Sequence, residues 1–293
     1  MHKVPSPAWP VVLAVFSFLS LVAPARLAAL ELHVTRTAPT DLALTGRLAG
    51  VPAGETRFVS WSDLRALPTS KLKLTGEFLP GEQEVTVLFL SDLWAALPRG
   101  TGVDTLLATC HDHYASIYRE TFIAEYRPFI VLEINGTGPA SWPPPGLKYN
   151  PGPYVITIAS SVVPTVAGLL DAGHKRPWGV TELELANFAD REQGAFTGKW
   201  AALSPSAEAG REIWINSCAS CHVGPARMFG GSKSDRPFGV VAAYAAEAPE
   251  YFKNYVRHPQ AVVPGAKMEA HPHYTDEQLK DLIAFITAEP KKP

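Results

Sequence analysis

The sequence predicts two domains of different class: an N-terminal α+β domain with a mainly antiparallel sheet, followed by an all-α C-terminal domain. Three observations lead there. Period-two alternation recurs at 71–74, 84–88 and 180–185, the pattern of half-buried strands. After residue 204 the apolar residues fall at helical spacing instead. Within that helical stretch, Cys218-Ala219-Ser220-Cys221-His222 brings two thiols and an imidazole into five consecutive positions. At 293 residues the chain is long enough for two modest cores.

In the N-terminal part, Lys71 to Leu74, Glu84 to Leu88 and Val180 to Leu185 read as strands. Phe129 to Ile134 is a nearly continuous apolar run closed by Asn135-Gly136, a turn signal. Ser62-Asp63-Leu64-Arg65-Ala66-Leu67-Pro68 and Ser91-Asp92-Leu93-Trp94-Ala95-Ala96-Leu97-Pro98 are near-copies and read as short helices, each Ser-capped and Pro-stopped. Two such units are too few to stack as a repeat protein. Trp142-Pro143-Pro144-Pro145-Gly146 reads as a rigid loop. Cys110, His111 and His113 are ligand types for zinc or copper. The plainer reading is a sheet-edge turn with a buried thiol, and an odd cysteine in an exported chain can also pair between chains.

In the C-terminal part, Ser204-Pro205 starts a helix, with Ser as cap and Pro in the first turn. Gly210, Ile213 and Trp214 share one face of it. A middle helix over roughly 249–257 is stopped by His258-Pro259. The last helix opens with a Thr275/Gln278 capping box and carries Leu279, Leu282, Ile283 and Ile286, with Phe285 beside them.

The Cys-x-x-Cys-His spacing is the attachment pattern of a covalent haem. Each thiol of Cys218 and Cys221 would add to one vinyl group, and His222 would supply an axial nitrogen to the iron. A Cys-x-x-Cys pair alone also serves dithiol redox sites and half of a zinc site. With three cysteines in all, no second pair completes a four-thiolate zinc site. Met228 lies six residues past His222, too close to carry a ligand round to the other haem face. Met268, 46 residues on, is the expected second ligand, a soft thioether opposite an imidazole. His258, His271 and His273 are the alternatives.

Composition is that of a folded protein, 46% apolar and 18% charged. A formal net charge of −2 gives no reason to expect a nucleic-acid partner. His2 and Lys3 precede a charge-free apolar run, Val11 to Val22, bounded by Pro10, Pro24 and Arg26. Spanning a bilayer takes roughly 20 residues, so the run has the length of a signal-peptide core, with small residues for cleavage at Ala23-Pro24-Ala25 or at Ala28 and Ala29. The expected organisation is a signal at 1–29, the α+β domain at 30–192, a join at 193–203 and the haem domain at 204–293. A membrane is a partner only if the N-terminal segment stays uncleaved.

Residues 204–289 resemble a class I c-type cytochrome. The likeness is carried by the Gly-containing first helix, the Cys-x-x-Cys-His motif, Arg236-Pro237-Phe238-Gly239, the Pro264-Gly265-Ala266-Lys267-Met268 loop and the amphipathic last helix. The resemblance implies one covalent haem c and a proline carbonyl that orients the proximal His, from Pro237 or Pro225. It implies that Gly210 allows Phe285 to approach closely, with Trp214 where Phe or Tyr is commoner. It further implies electron transfer outside the bacterial cytoplasm, in the periplasm, between redox partner proteins: a dehydrogenase as donor, and an oxidase or another cytochrome as acceptor.

The N-terminal part resembles the molybdopterin-binding fold of the sulfite oxidase superfamily. The likeness lies in the Ser-Asp-Leu helix after an apolar strand, His111-Asp112-His113-Tyr114, Ile134-Asn135-Gly136 and Tyr154-Val155-Ile156. The family's metal-binding cysteine has no counterpart ahead of this block, so the expectation is the fold without a molybdenum cofactor. The alternative is a molybdenum-dependent oxidoreductase that passes electrons from this domain to its own haem.

Overall fold

The computed structural model describes residues 30–76, 79–147, 149–164, 175–192, 200–225, 228, 230–234 and 236–288. The expected signal at 1–29 and residues 193–199 of the expected join lie outside them. The N-terminal part runs β1 (Leu42–Gly46), β2 (Arg57–Val59), α1 (Trp61–Ala66), β3 (Ser70–Gly76), β4 (Leu79–Phe89), α2 (Leu90–Ala96), β5 (Thr105–Cys110), β6 (Ala115–Arg119), α3 (Glu120–Tyr126), β7 (Phe129–Ile134), β8 (Val155–Thr157), β9 (Val180–Ala186) and α4 (Phe188–Arg191).

Among the described residues these strands form two sheets, ordered β2-β1-β9-β5-β6 and β3-β4-β7-β8. Every pairing is antiparallel except β1 with β9, so the expected α+β class with a mainly antiparallel sheet is what the chain adopts. The main N-terminal core joins inward residues of both sheets, such as Leu44, Leu106, Ala108, Ile130, Leu132 and Leu185. On β7 the alternate residues Phe129 and Val131 enter a second core with Val85, Val87 and Trp142. A strand buried on both faces explains why 129–134 lacks polar alternation.

The two short helices depart from the expected caps. Ser60, not Ser62, caps α1, closing a capping box with Asp63. Helix α2 has Phe89 at its cap with no side-chain bond, and Ser91 lies inside its first turn. Here β4 runs straight into the helix, and the Leu90 N–H bonds the Pro128 carbonyl instead (2.8 Å). Side-chain caps answer orphaned N–H groups, and at this corner a neighbouring backbone does so.

The C-terminal part is helical, as expected: α5 (Pro205–Ile213), α6 (Phe238–Glu247), α7 (Pro249–Arg257), α8 (Pro259–Val262) and α9 (Asp276–Ile286). Ser204 caps α5 through the Ala207 N–H, and Thr275 and Gln278 make the capping box of α9. Helix α6 was not foreseen, because its Ala- and Val-rich sequence has no clear apolar stripe. Leu279, Leu282, Phe285 and Ile286 are buried along α9, with Ile283 at the margin. Helices α5 and α9 cross at Gly210, where a Cβ would stand 1.9 Å from the Asp281 carbonyl oxygen. Trp214 and Phe285 then meet with ring centroids 6.3 Å apart.

The helices pack on the outer face of the larger sheet. On β5 and β6, Leu106, Ala108 and Tyr118 face the N-terminal core, while Leu107, Ala115 and Ile117 join the helical core. Period-two geometry thus gives one hairpin two cores to serve. Arg119 on β6 pairs with Glu212 on α5 at 2.7 Å. Trp200 is buried against Phe285 (5.2 Å) and Phe238 (5.8 Å), anchoring the end of the join on the helices.

Gly210→Ala is expected to lower the stability of the helical part by roughly 1–3 kcal/mol, because the crossing cannot open without repacking. Denaturant unfolding followed at the haem band and by far-UV dichroism measures it; a midpoint equal to wild type would mean that α5 and α9 need no such approach.

Candidate haem site

Helix α5 does not end in an ordinary turn. Its last turn, Trp214–Cys218, widens to a π-turn, closed by the Ala219 N–H on the Trp214 carbonyl (2.9 Å). Such widened turns re-aim the residues that follow. Cys221 and His222 then fold back, both N–H groups donating to the Cys218 carbonyl at 3.1 and 2.8 Å. The returning segment lies along this loop: Gly231, Ser232 and Lys233 donate to the carbonyls of Ala219, Ser220 and Cys221. Gly230, at φ 105, lets it come so near that a Cβ would sit 1.6 Å from the Ala219 oxygen.

The loop borders a cavity of about 970 Å³ whose wall contains Cys218, Cys221, His222 and Met268. That is at the upper end of ligand-pocket volumes, about 300–1,000 Å³. Met268 comes from the loop between α8 and α9, where Gln260 holds its backbone carbonyl at 2.8 Å. Of the alternative ligands, His271 also lines the cavity; His258 and His273 do not, and neither does Met228. His271 is buried and its ring stacks on Tyr274 (5.8 Å). Burial, then the neighbouring His273 and His222, holds its pKa down to about 4.

Burial pushes the Cys218 thiol up to about 12 and raises that of Cys221. Both thiols are therefore held protonated, away from dithiol exchange chemistry. Burial, helped by Arg236, keeps His222 below the usual imidazole range, hence neutral and able to donate a lone pair. Among the described residues its buried Nδ1 has no hydrogen-bond partner. The carbonyl of Pro237 serves instead at the start of α6, accepting from Val240 (3.0 Å) and Val241 (3.4 Å). That of Pro225 accepts from Met228 at 3.1 Å.

Two thiols, a neutral imidazole and a thioether on the wall of one large, mostly apolar cavity are a donor set that fits haem c. Sequence reasoning missed the part of the wall that the N-terminal domain supplies. Asp112, Tyr114, Lys175, Arg176 and Trp178 all face the cavity. Lys233 beside the motif pairs with Asp112 at 2.7 Å, and Ser116 and Ser220 hydroxyls lie 3.5 Å apart. Only the apolar outward face of β6 hinted at such a contact.

Cys110 ends β5, buried, with burial and Asp112 pushing its thiol up to about 12. His111, Asp112 and His113 form the exposed β5–β6 turn, His113 at φ 65. Cys110, His111 and His113 belong to no metal-ligand group among the described residues; the one such group is Glu31, His33 and Asp63.

Residues 205–286 match the family described as cytochrome C oxidase, cbb3-type, subunit III. The C-terminal part is thus of cytochrome c type, which implies haem c, electron transfer and redox partners. Among solved structures, the sulfane dehydrogenase SoxCD from Paracoccus pantotrophus is similar at 13% identity with a TM-score of 0.34, over 59% of this chain and 44% of that one. So slight a likeness carries neither fold nor function across. No curated protein matches the chain significantly. Among the described residues no helix is long and apolar enough to cross a membrane.

Proposed function

We propose that the chain is an exported, single-haem electron carrier of the bacterial periplasm, with a signal at 1–29, an accessory α+β domain at 30–192, a join at 193–203 and the haem domain at 204–293. The observation that carries this reading is that Cys218, Cys221, His222 and Met268 border one cavity. Haem c, when bound, supplies a one-electron Fe(II)/Fe(III) couple. Cys218 and Cys221 would hold it by thioether bonds, and His222 and Met268 would offer its iron a neutral nitrogen and a thioether, leaving no ready place for oxygen or peroxide. A thioether ligand in a largely buried site favours reduced iron and raises the potential. An electron enters from a dehydrogenase and leaves to an oxidase or another cytochrome, through small transient contacts.

The reading includes no molybdenum centre. Cys110 is the one thiol of the N-terminal part, and its burial and raised pKa leave it a poor thiolate ligand. Metal analysis of the exported protein is expected to give iron with molybdenum well below one per chain. One molybdenum per chain would make the N-terminal part a second redox centre and the protein an enzyme feeding its own haem.

Replacing Cys218 and Cys221 by Ser is expected to let acidic organic solvent extract any haem; haem retained covalently would overturn the attachment. Met268→Ala should abolish the sulfur-to-iron charge-transfer band at the red end of the oxidised spectrum. An unaltered band would transfer the ligand role elsewhere, His271 being the cavity-lining candidate.

A further inference from the structure

The attachment loop rests on the edge of the larger sheet. Strand β6 is the last of that sheet, and the β5–β6 turn delivers Tyr114 to the start of it. Asp112 accepts the Tyr114 N–H at 3.1 Å, His113 takes a left-handed conformation (φ 65), and the Tyr114 carbonyl accepts from the Cys110 N–H at 2.8 Å. An Asp side chain bonding the backbone two residues on is a standard way to fix a tight turn. Period two then puts Tyr114, Ser116 and Tyr118 on one face of the chain.

Tyr114 touches both parts of the chain. It packs on the N-terminal core and lines the haem cavity. Its hydroxyl engages those of Ser116 and Ser220. Both serines are buried, and their hydroxyls lie 3.5 Å apart. Ser220 stands inside the attachment motif, directly before Cys221. Burial, then the neighbouring Cys221 thiol, pushes the Tyr114 phenol up to about 12, so it stays a neutral hydroxyl. The Lys233 ammonium lies 5.8 Å from the centroid of the Tyr114 ring and is held there by Asp112 at 2.7 Å. Ser232, next to Lys233, donates its hydroxyl to the Ser220 carbonyl (2.7 Å). The turn that places Tyr114 thus also anchors the segment that returns along the motif.

We propose that Tyr114 is a positioning residue of the haem site: it clamps Ser220, and with it Cys221, to the sheet edge and keeps water from the Cys221 side of the cavity. This rests on the haem reading above. It gives the N-terminal part a role that needs no cofactor of its own. Fe(III) carries one positive charge more than Fe(II), and water beside the attachment thiols favours the more charged state. By keeping that side dry, Tyr114 raises the potential. If the two hydroxyls act through one contact, losing either has the same effect, and losing both has no more.

The experiment uses the full-length holoprotein, with covalent haem first verified by intact mass. It measures the midpoint potential at fixed pH alongside the denaturant midpoint. Tyr114→Phe and Ser220→Ala are expected to lower the potential by similar amounts, and the double variant by no more than either alone. Tyr114→Ala, which also removes the ring, should lower it further, by about a tenfold shift of the reduction equilibrium, which is about 59 mV for one electron. If Tyr114→Ala does not accumulate, Tyr114→Phe and Ser220→Ala decide alone. Wild-type potentials throughout, whether or not stability falls, would make Tyr114 plain packing; that overturns the proposal and leaves the haem reading standing. Potential drops that add in the double variant would overturn the clamp. A wild-type chain at bare polypeptide mass would overturn the haem reading, and the proposal with it.

Discussion

The crossing of α5 and α9 at Gly210 is the constraint on which the site depends. Helix α5 leads directly into the Cys-x-x-Cys-His turn, and α9 is the anchor of the loop that carries Met268. The distance between two packed helices is set by the side chains at their contact. Here the contact residue has no side chain, and the Asp281 backbone sits where a Cβ would be. Trp214, Phe285, Phe238 and Trp200 fill the space around that point, edge and tilt contacts holding the aromatic cluster together. The cavity is the space that remains beyond the cluster, so its position follows from the crossing.

The second determinant is the β5–β6 hairpin. Its inward residues complete the N-terminal core and its outward residues belong to the helical core. The helical part therefore packs directly on the sheet, and the cavity acquires part of its wall from the α+β part. The apolar outward face of the hairpin and the Arg119–Glu212 and Lys233–Asp112 pairs fix how the two parts meet. Those ion pairs are partly exposed, so they serve register more than stability.

Electrostatics follow from the same arrangement. Burial in the helical core keeps His222 neutral and the two thiols protonated. The cations of the wall come from both parts of the chain, and the most deeply buried of them, Lys175, comes from the part with no haem motif.

What was legible in the sequence was local. Cys218 to His222 state their chemistry by spacing alone. Ser204 with Pro205, and Thr275 with Gln278, mark helix starts because a cap bonds an N–H only three residues away. The apolar positions of α9 and the alternation in β9 report burial at a fixed period. Gly210 was legible through family likeness, although the close approach it allows is to the Asp281 backbone before the Phe285 ring. The cap of α2, the existence of α6 and the cross-domain wall were decided only by the tertiary structure. Each depends on a partner distant along the chain: Pro128 against Leu90, Pro237 as the start of a helix packed on Trp214 and Trp200, Lys175 against Ile117. A sequence lists such groups without their separations, and burial, charge pairing and cavity shape are functions of separation.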